Sequence, residues 1–95
     1  MSRDAGVRSI PELRHFGKQM QQMGEQMYKV MLDAQKRMNY VSQGWQDDIN
    51  DKFKERFGVS VNHIKKMSDE FTQYNKYIQS QCDILENYNR NNIKF

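Results

Sequence analysis

Gly44-Trp45-Gln46-Asp47-Asp48 is the stretch on which the chain reverses. Gly44 can adopt the positive φ that ends a helix, and Asp47 or Asp48 offers a carboxylate to the first free N–H groups of a following helix. Trp45 is the only tryptophan. Segments of regular apolar spacing flank the stretch on both sides, so the sequence predicts two long helices folded back on each other, with the turn at 43–47. The expected fold class is all-α: an antiparallel two-helix hairpin that pairs into a four-helix bundle.

Before the turn, Ser9-Ile10-Pro11-Glu12 reads as a helix start. Ser9 is placed to cap, Glu12 to complete a capping box, and Pro11 to sit in the first turn, where its missing N–H costs nothing. Residues 1–8 are then a flexible arm. From there Leu13, Met20, Met27, Ala34 and Val41 recur at sevens, with Phe16, Met23 and Val30 between them and Met31 and Met38 alongside. This is a heptad stripe, and its methionines give a face that packs against more than one surface. The simplest reading makes it the core seam; a partner-adaptable surface is the alternative. Gly17 and Gly24 flank it and weaken the helix unless they let another backbone come close.

After the turn, Asp47 or Asp48 opens helix 2, with Asp51 in its first turn where negative charge is favoured. Phe57, Ile64, Phe71, Ile78 and Leu85 fall at strict sevens, joined by Phe53, Val61, Met67, Tyr74 and Tyr88. Gly58 is a point where a bend is conceivable. The asparagine-rich segment 89–95 loses the period and is expected to fray. The helical domain is therefore 9–88, with helices of roughly 30 and 40 residues, on the order of 45 and 60 Å long.

One stripe per helix leaves little for a self-sufficient core, so a second copy or another protein is expected to complete the packing. The net charge of +3 raises nucleic acid as a partner. The distribution argues against it. Before Trp45 there are seven basic and four acidic residues, and from Trp45 onward eight of each. The doublets Lys36-Arg37 and Lys65-Lys66 lie on otherwise mixed helix faces with no helix-turn-helix around them. No window approaches the roughly 18 apolar residues of a membrane span, and the N-terminus carries no Sec-type signal.

Catalytic and metal chemistry find no constellation. Glu12-x-x-His15 is half of a di-iron motif without its second half, and His63 has no acid three residues before it. Asp47-Asp48-Ile49-Asn50-Asp51 lacks the glycine and terminal glutamate of a calcium loop, so a helix cap explains it better. The single cysteine, Cys82, excludes an internal disulfide and reads as a small packing residue. No phosphate loop is present. No enzyme, cofactor or metal is expected.

Two amphipathic helices with a lone tryptophan in the turn, in a chain near one hundred residues, resemble the WXG family of small type VII secretion proteins. In that family a Trp-x-Gly turn joins two long helices, and the hairpins pair antiparallel into four-helix bundles. Here the motif is Trp45-Gln46-Asp47; divergent relatives carry Trp-x-Asp, often followed by a phenylalanine about two turns on, a position Phe53 fits. The family's export signal, a tyrosine with an acid four residues later, is absent: Tyr74, Tyr77 and Tyr88 are followed at that spacing by Ile78, Gln81 and Asn92. The resemblance implies a non-enzymatic protein, exported without a Sec-type signal as a type VII-like substrate or as co-exported partner of a larger effector. The alternative is a cytoplasmic adaptor or targeting chaperone for the helical region of a larger protein. The partner is the chain itself, as a homodimer, a related hairpin, or a larger effector. The expected interface is Leu13, Phe16, Met20, Met23, Met27, Phe57, Ile64, Phe71 and Ile78; Gly44, Trp45 and Asp47 form the turn motif. Trp45 is expected to cap the hairpin end on Val41, Ile49 and Phe53, or to line a docking groove.

Overall fold

The computed structural model describes residues 2–44 and 47–93, with side chains described from Ser9 to Arg90 apart from the turn residues 45 and 46. Trp45, and with it the expected cap or groove role, lies outside the described residues. Two α-helices, α1 (Ser2–Val41) and α2 (Asp48–Ile93), pack against each other as a helical hairpin, and a short 3₁₀ turn (Ser42–Gly44) follows α1. No strand occurs among the described residues.

The reversal is built largely as its residues dictate. The Asp47 carboxylate accepts a hydrogen bond from the Asn50 N–H at 2.7 Å, and the Asp47 carbonyl accepts the Asp51 N–H at 3.1 Å, so Asp47 is the N-cap of α2. Asp48 and Asp51 place negative charge in its first turn. At the end of α1 the Ser42 hydroxyl donates to the Asn39 carbonyl, occupying one of the acceptors a helix leaves free. The positive φ expected at Gly44 is not used: no described residue has one, because the chain leaves α1 through a 3₁₀ turn with right-handed dihedrals.

Both outer boundaries run beyond their expected places. α1 is 40 residues long and begins at Ser2, ahead of the start expected at Ser9, and Pro11 lies inside it. The Ser9 capping box does not form the start, since helix precedes it and Glu12 is exposed. Ile10, held at 4% exposure, anchors this turn, and each further residue then adds a hydrogen bond at little entropic cost. α2 is 46 residues long and carries the asparagine-rich end as far as Ile93, with Arg90 complementing the helix C-terminus. Of the segment 89–95 expected to fray, 89–93 is helical with Asn89 half-buried, and 94–95 lie outside the described residues. Gly58 does not interrupt α2.

The contacts divide the chain into two units: Met1–Gln22 with Phe71–Phe95, and Met23–Glu70 around the turn. In the first, Cys82 is fully buried, its Sγ directed at the Ile10 carbonyl at 3.9 Å. Gly17 is buried against α2: a Cβ built on it would lie 2.6 Å from Asn75 Oδ1 and 3.1 Å from Ile78 Cγ2. The space a side chain would take at Gly17 is thus filled by side chains of α2 rather than by the backbone expected to approach it. In the second unit Val61 is buried at 5% exposure and Ser68 at 6%, and Gly24 is buried.

These positions show where the seam runs. Its centre is Ile10, Gly17, Gly24, Met31 and Met38 on α1, and Val61, Ser68, Asn75 and Cys82 on α2, each series at intervals of seven and small or polar at Gly17, Gly24, Ser68, Asn75 and Cys82. The large apolar stripes are displaced from it by about 60° around each helix, three residues at 100° each. Leu13 and Met20 on α1, and Phe57, Ile64, Phe71 and Ile78 on α2, are half-buried, while Met27 and Leu85 are exposed. The reading of the stripes as the core seam therefore holds for Val61, Met31 and Met38, which lie on this line, and is corrected for the series through Leu13 and through Phe57, which flank it where small residues let the helices approach.

Candidate functional site

Reading outward from the seam, each unit has one apolar and one polar side. Antiparallel helices reverse both their direction and the sense in which residues advance around the axis, so positions three beyond the seam on α1 and three beyond it on α2 fall on the same side of the pair. In the first unit this side carries Leu13, Phe16, Met20, Phe71, Tyr74 and Ile78. Phe16 is 55% exposed and Tyr74 50%, and Tyr74 leans on Phe71 with ring centroids 6.3 Å apart. In the second unit the same side carries Met23, Met27, Val30, Phe57 and Ile64. Here Met23 and Val30 are exposed, and a groove of about 320 Å³ runs between Met23, Met27, Val30, Met31 and Ile64, with Gln26 on its rim. Nearer the turn, Phe53 is exposed and stacks obliquely on Phe57 at 6.2 Å.

All nine residues expected at an interface therefore fall on the apolar side of their unit, half-buried or exposed. Of the turn motif, Asp47 caps α2, and Gly44 is exposed with open space where a Cβ would stand. Val41 and Ile49, expected under Trp45, are both exposed.

Sequence reading missed the opposite, polar side of the first unit. The Arg14 guanidinium donates to Gln79 Oε1 at 2.8 Å and to Glu86 Oε1 at 2.6 Å, and also reaches the Asp83 carboxylate. Gln79 in turn donates to the Arg14 carbonyl at 3.0 Å and to Asn75 Oδ1 at 2.9 Å, and Asn75 donates to Gln21 Oε1 at 2.7 Å. Hydrogen bonds donated to Glu86 and then to Asp83 hold the guanidinium well above the ordinary arginine pKa, against a smaller opposing effect of burial. A cation whose folded pKa is raised contributes its stabilisation everywhere below the unfolded value, so alkali in the ordinary range does not release it. The signal was present in the sequence: Arg14 and Gln21, and Thr72, Gln79 and Glu86, are polar residues at sevens, one step from the seam on the side away from the stripe.

Among the described residues no group of three or more His, Cys, Asp or Glu is gathered as metal ligands, and no helix is long and apolar enough to cross a membrane. His15 and His63 are exposed on separate helices. What the apolar side can do is bury hydrophobic surface against another protein, since thioether and aromatic side chains adapt readily to a facing surface. No family model matches the chain, and no curated protein or solved structure matches it either.

Proposed function

We propose that this is a non-enzymatic, WXG-like helical-hairpin protein that works by association through its apolar side, as a homodimer or with a related or larger helical partner. The supporting observation is the exposure of that side. Among the described hydrophobic residues only Ile10, Val61 and Cys82 are buried, while Phe16, Met23, Val30, Phe53 and Tyr74 are each half or more exposed. At about 25 cal/mol per Å², covering such side chains is the main free energy left to the chain, and a second helical pair is the surface shaped to do it. The Trp45-Gln46-Asp47 turn, at which Asp47 caps α2, supports the further reading as a type VII-like secretion substrate or co-exported partner of a larger effector.

The test is nuclease-treated affinity purification from the native host, with members identified by mass spectrometry, repeated with Met20→Asp and Met27→Asp and in cells lacking the secretion machinery. A partner or second copy lost from both variants, together with export that stops without the machinery, is the expected result. A complex that survives both substitutions removes the apolar side as the interface. Retention inside the cell regardless of the machinery removes the secretion reading and leaves a cytoplasmic adaptor.

A further inference from the structure

We infer that Arg56 and Glu70, on the outer rim of the apolar side of the second unit, are the pair by which the chain recognises a second copy of itself, laid antiparallel on that side. This rests on association through the apolar side and commits it to one partner. Arg56, His63 and Glu70 recur at sevens on α2, all exposed, and form the row just outside Phe57, Ser60, Ile64 and Met67.

The two rims of this side differ in how their charges are met. On α1, Arg37 and Asp33 pair with each other at 3.4 Å. On α2, Arg56 and Glu70 stand two heptads apart, about 21 Å along one helix and out of each other's reach. Neither has an ion-pair partner among the described residues. What completes this rim is an acid opposite Arg56 and a base opposite Glu70, at the same spacing. An antiparallel copy of the same stretch presents both: its Glu70 to Arg56 and its Arg56 to Glu70, in the reciprocal manner of a two-fold interface. The position midway meets itself, and it holds His63 and not a permanent charge. A parallel copy would set Arg56 on Arg56 and Glu70 on Glu70. The antiparallel alignment also layers the apolar row, with Phe57 opposite Met67 of the copy and Ser60 opposite Ile64. Ile64 walls the methionine groove, so the seat and the groove are one surface. Charges that flank such a seam set partner choice and orientation.

The test is sedimentation equilibrium of the full chain at low salt, with Arg56→Glu, with Glu70→Arg and with the two variants mixed, helicity being followed by circular dichroism. The parent should be a dimer. By symmetry each reversal creates two like-charged pairs, so each should weaken the dimer about tenfold or more. Mixed, the variants become complementary, and a heterodimer as tight as the parent dimer should appear in native mass spectrometry. Single variants as tight as the parent, or a mixture no tighter than either alone, overturn the proposal. Should a reversal lose its helicity, His63→Glu and His63→Lys decide, because a residue that meets itself is disfavoured by charge of either sign. Weakening by both supports the pairing; weakening by one or neither overturns it. A dimer lost with Met23→Asp yet indifferent to both reversals keeps the apolar side as an interface and overturns this pairing. A monomeric parent overturns the second copy as partner, and association with another helical protein is then read from the purification alone.

Discussion

Two glycines in comparable helical settings should respond to alanine in opposite directions. A methyl group gains about 1 kcal/mol of helix propensity at either site. At Gly17 it meets Asn75 Oδ1 at 2.6 Å and Gln79 Nε2 at 3.2 Å, and both groups are tied into the hydrogen-bonded ladder, so yielding breaks bonds. Overpacking of about 1–3 kcal/mol outweighs the gain, and Gly17→Ala should lower the melting temperature. Gly58 has open space, so Gly58→Ala should stabilise by about 0.5–1 kcal/mol in a urea titration. Asp47→Ala removes the carboxylate that accepts the Asn50 N–H and should cost about 1 kcal/mol in the same titration. The sequence made Asp47 legible as a cap and Gly17 as a site of close approach. It left the groups that approach Gly17 unreadable, because they depend on register.

For the elements, existence and type were legible and their edges were not. Seven-residue spacing over most of the chain specifies two helices wherever the turn is recognised. The start at Ser2 was hidden because Ser9, Pro11 and Glu12 together imitate an N-terminus, whereas the anchoring of Ile10 beside Cys82 carries the helix through it. That continuation leaves Pro11 without an N–H to donate to the Val7 carbonyl. Pro11→Ala should restore the bond and slow amide hydrogen exchange across residues 5–15, where an interior proline costs up to about 3 kcal/mol; unchanged exchange would show that the turn around Pro11 is not helical in solution. The seam was misplaced for a different reason. Hydrophobicity marks the widest apolar surface of a helix, while the line of closest contact here runs through Gly17, Gly24, Ser68 and Asn75, which carry almost no hydrophobic signal, between Ile10 and Val61, which do.

At the scale of the molecule, the same displacement turns a packing observation into a functional one. Had the stripes filled the seam, the hairpin would have kept its large apolar side chains to itself; instead each unit holds them to one side, with methionines lining the groove of the second unit. The nine residues expected at an interface all fall on the apolar side because the series through Leu13 and through Phe57 flanks the seam. The polar ladder on the other side of the first unit was not recognised, because isolated glutamines and an arginine on a helix read as solvated. The central claim is that the apolar side must be covered by another helical surface. Light scattering on the purified chain, alone and with Met23→Asp, tests it most directly, because Met23 is exposed and its substitution leaves the seam untouched. The account predicts a mass of at least twice 11.4 kDa for the parent, or a chain that folds cooperatively only when its partner is added, and loss of that association for Met23→Asp. A parent that is monomeric at 11.4 kDa, fully helical and cooperatively folded at micromolar concentration would contradict it.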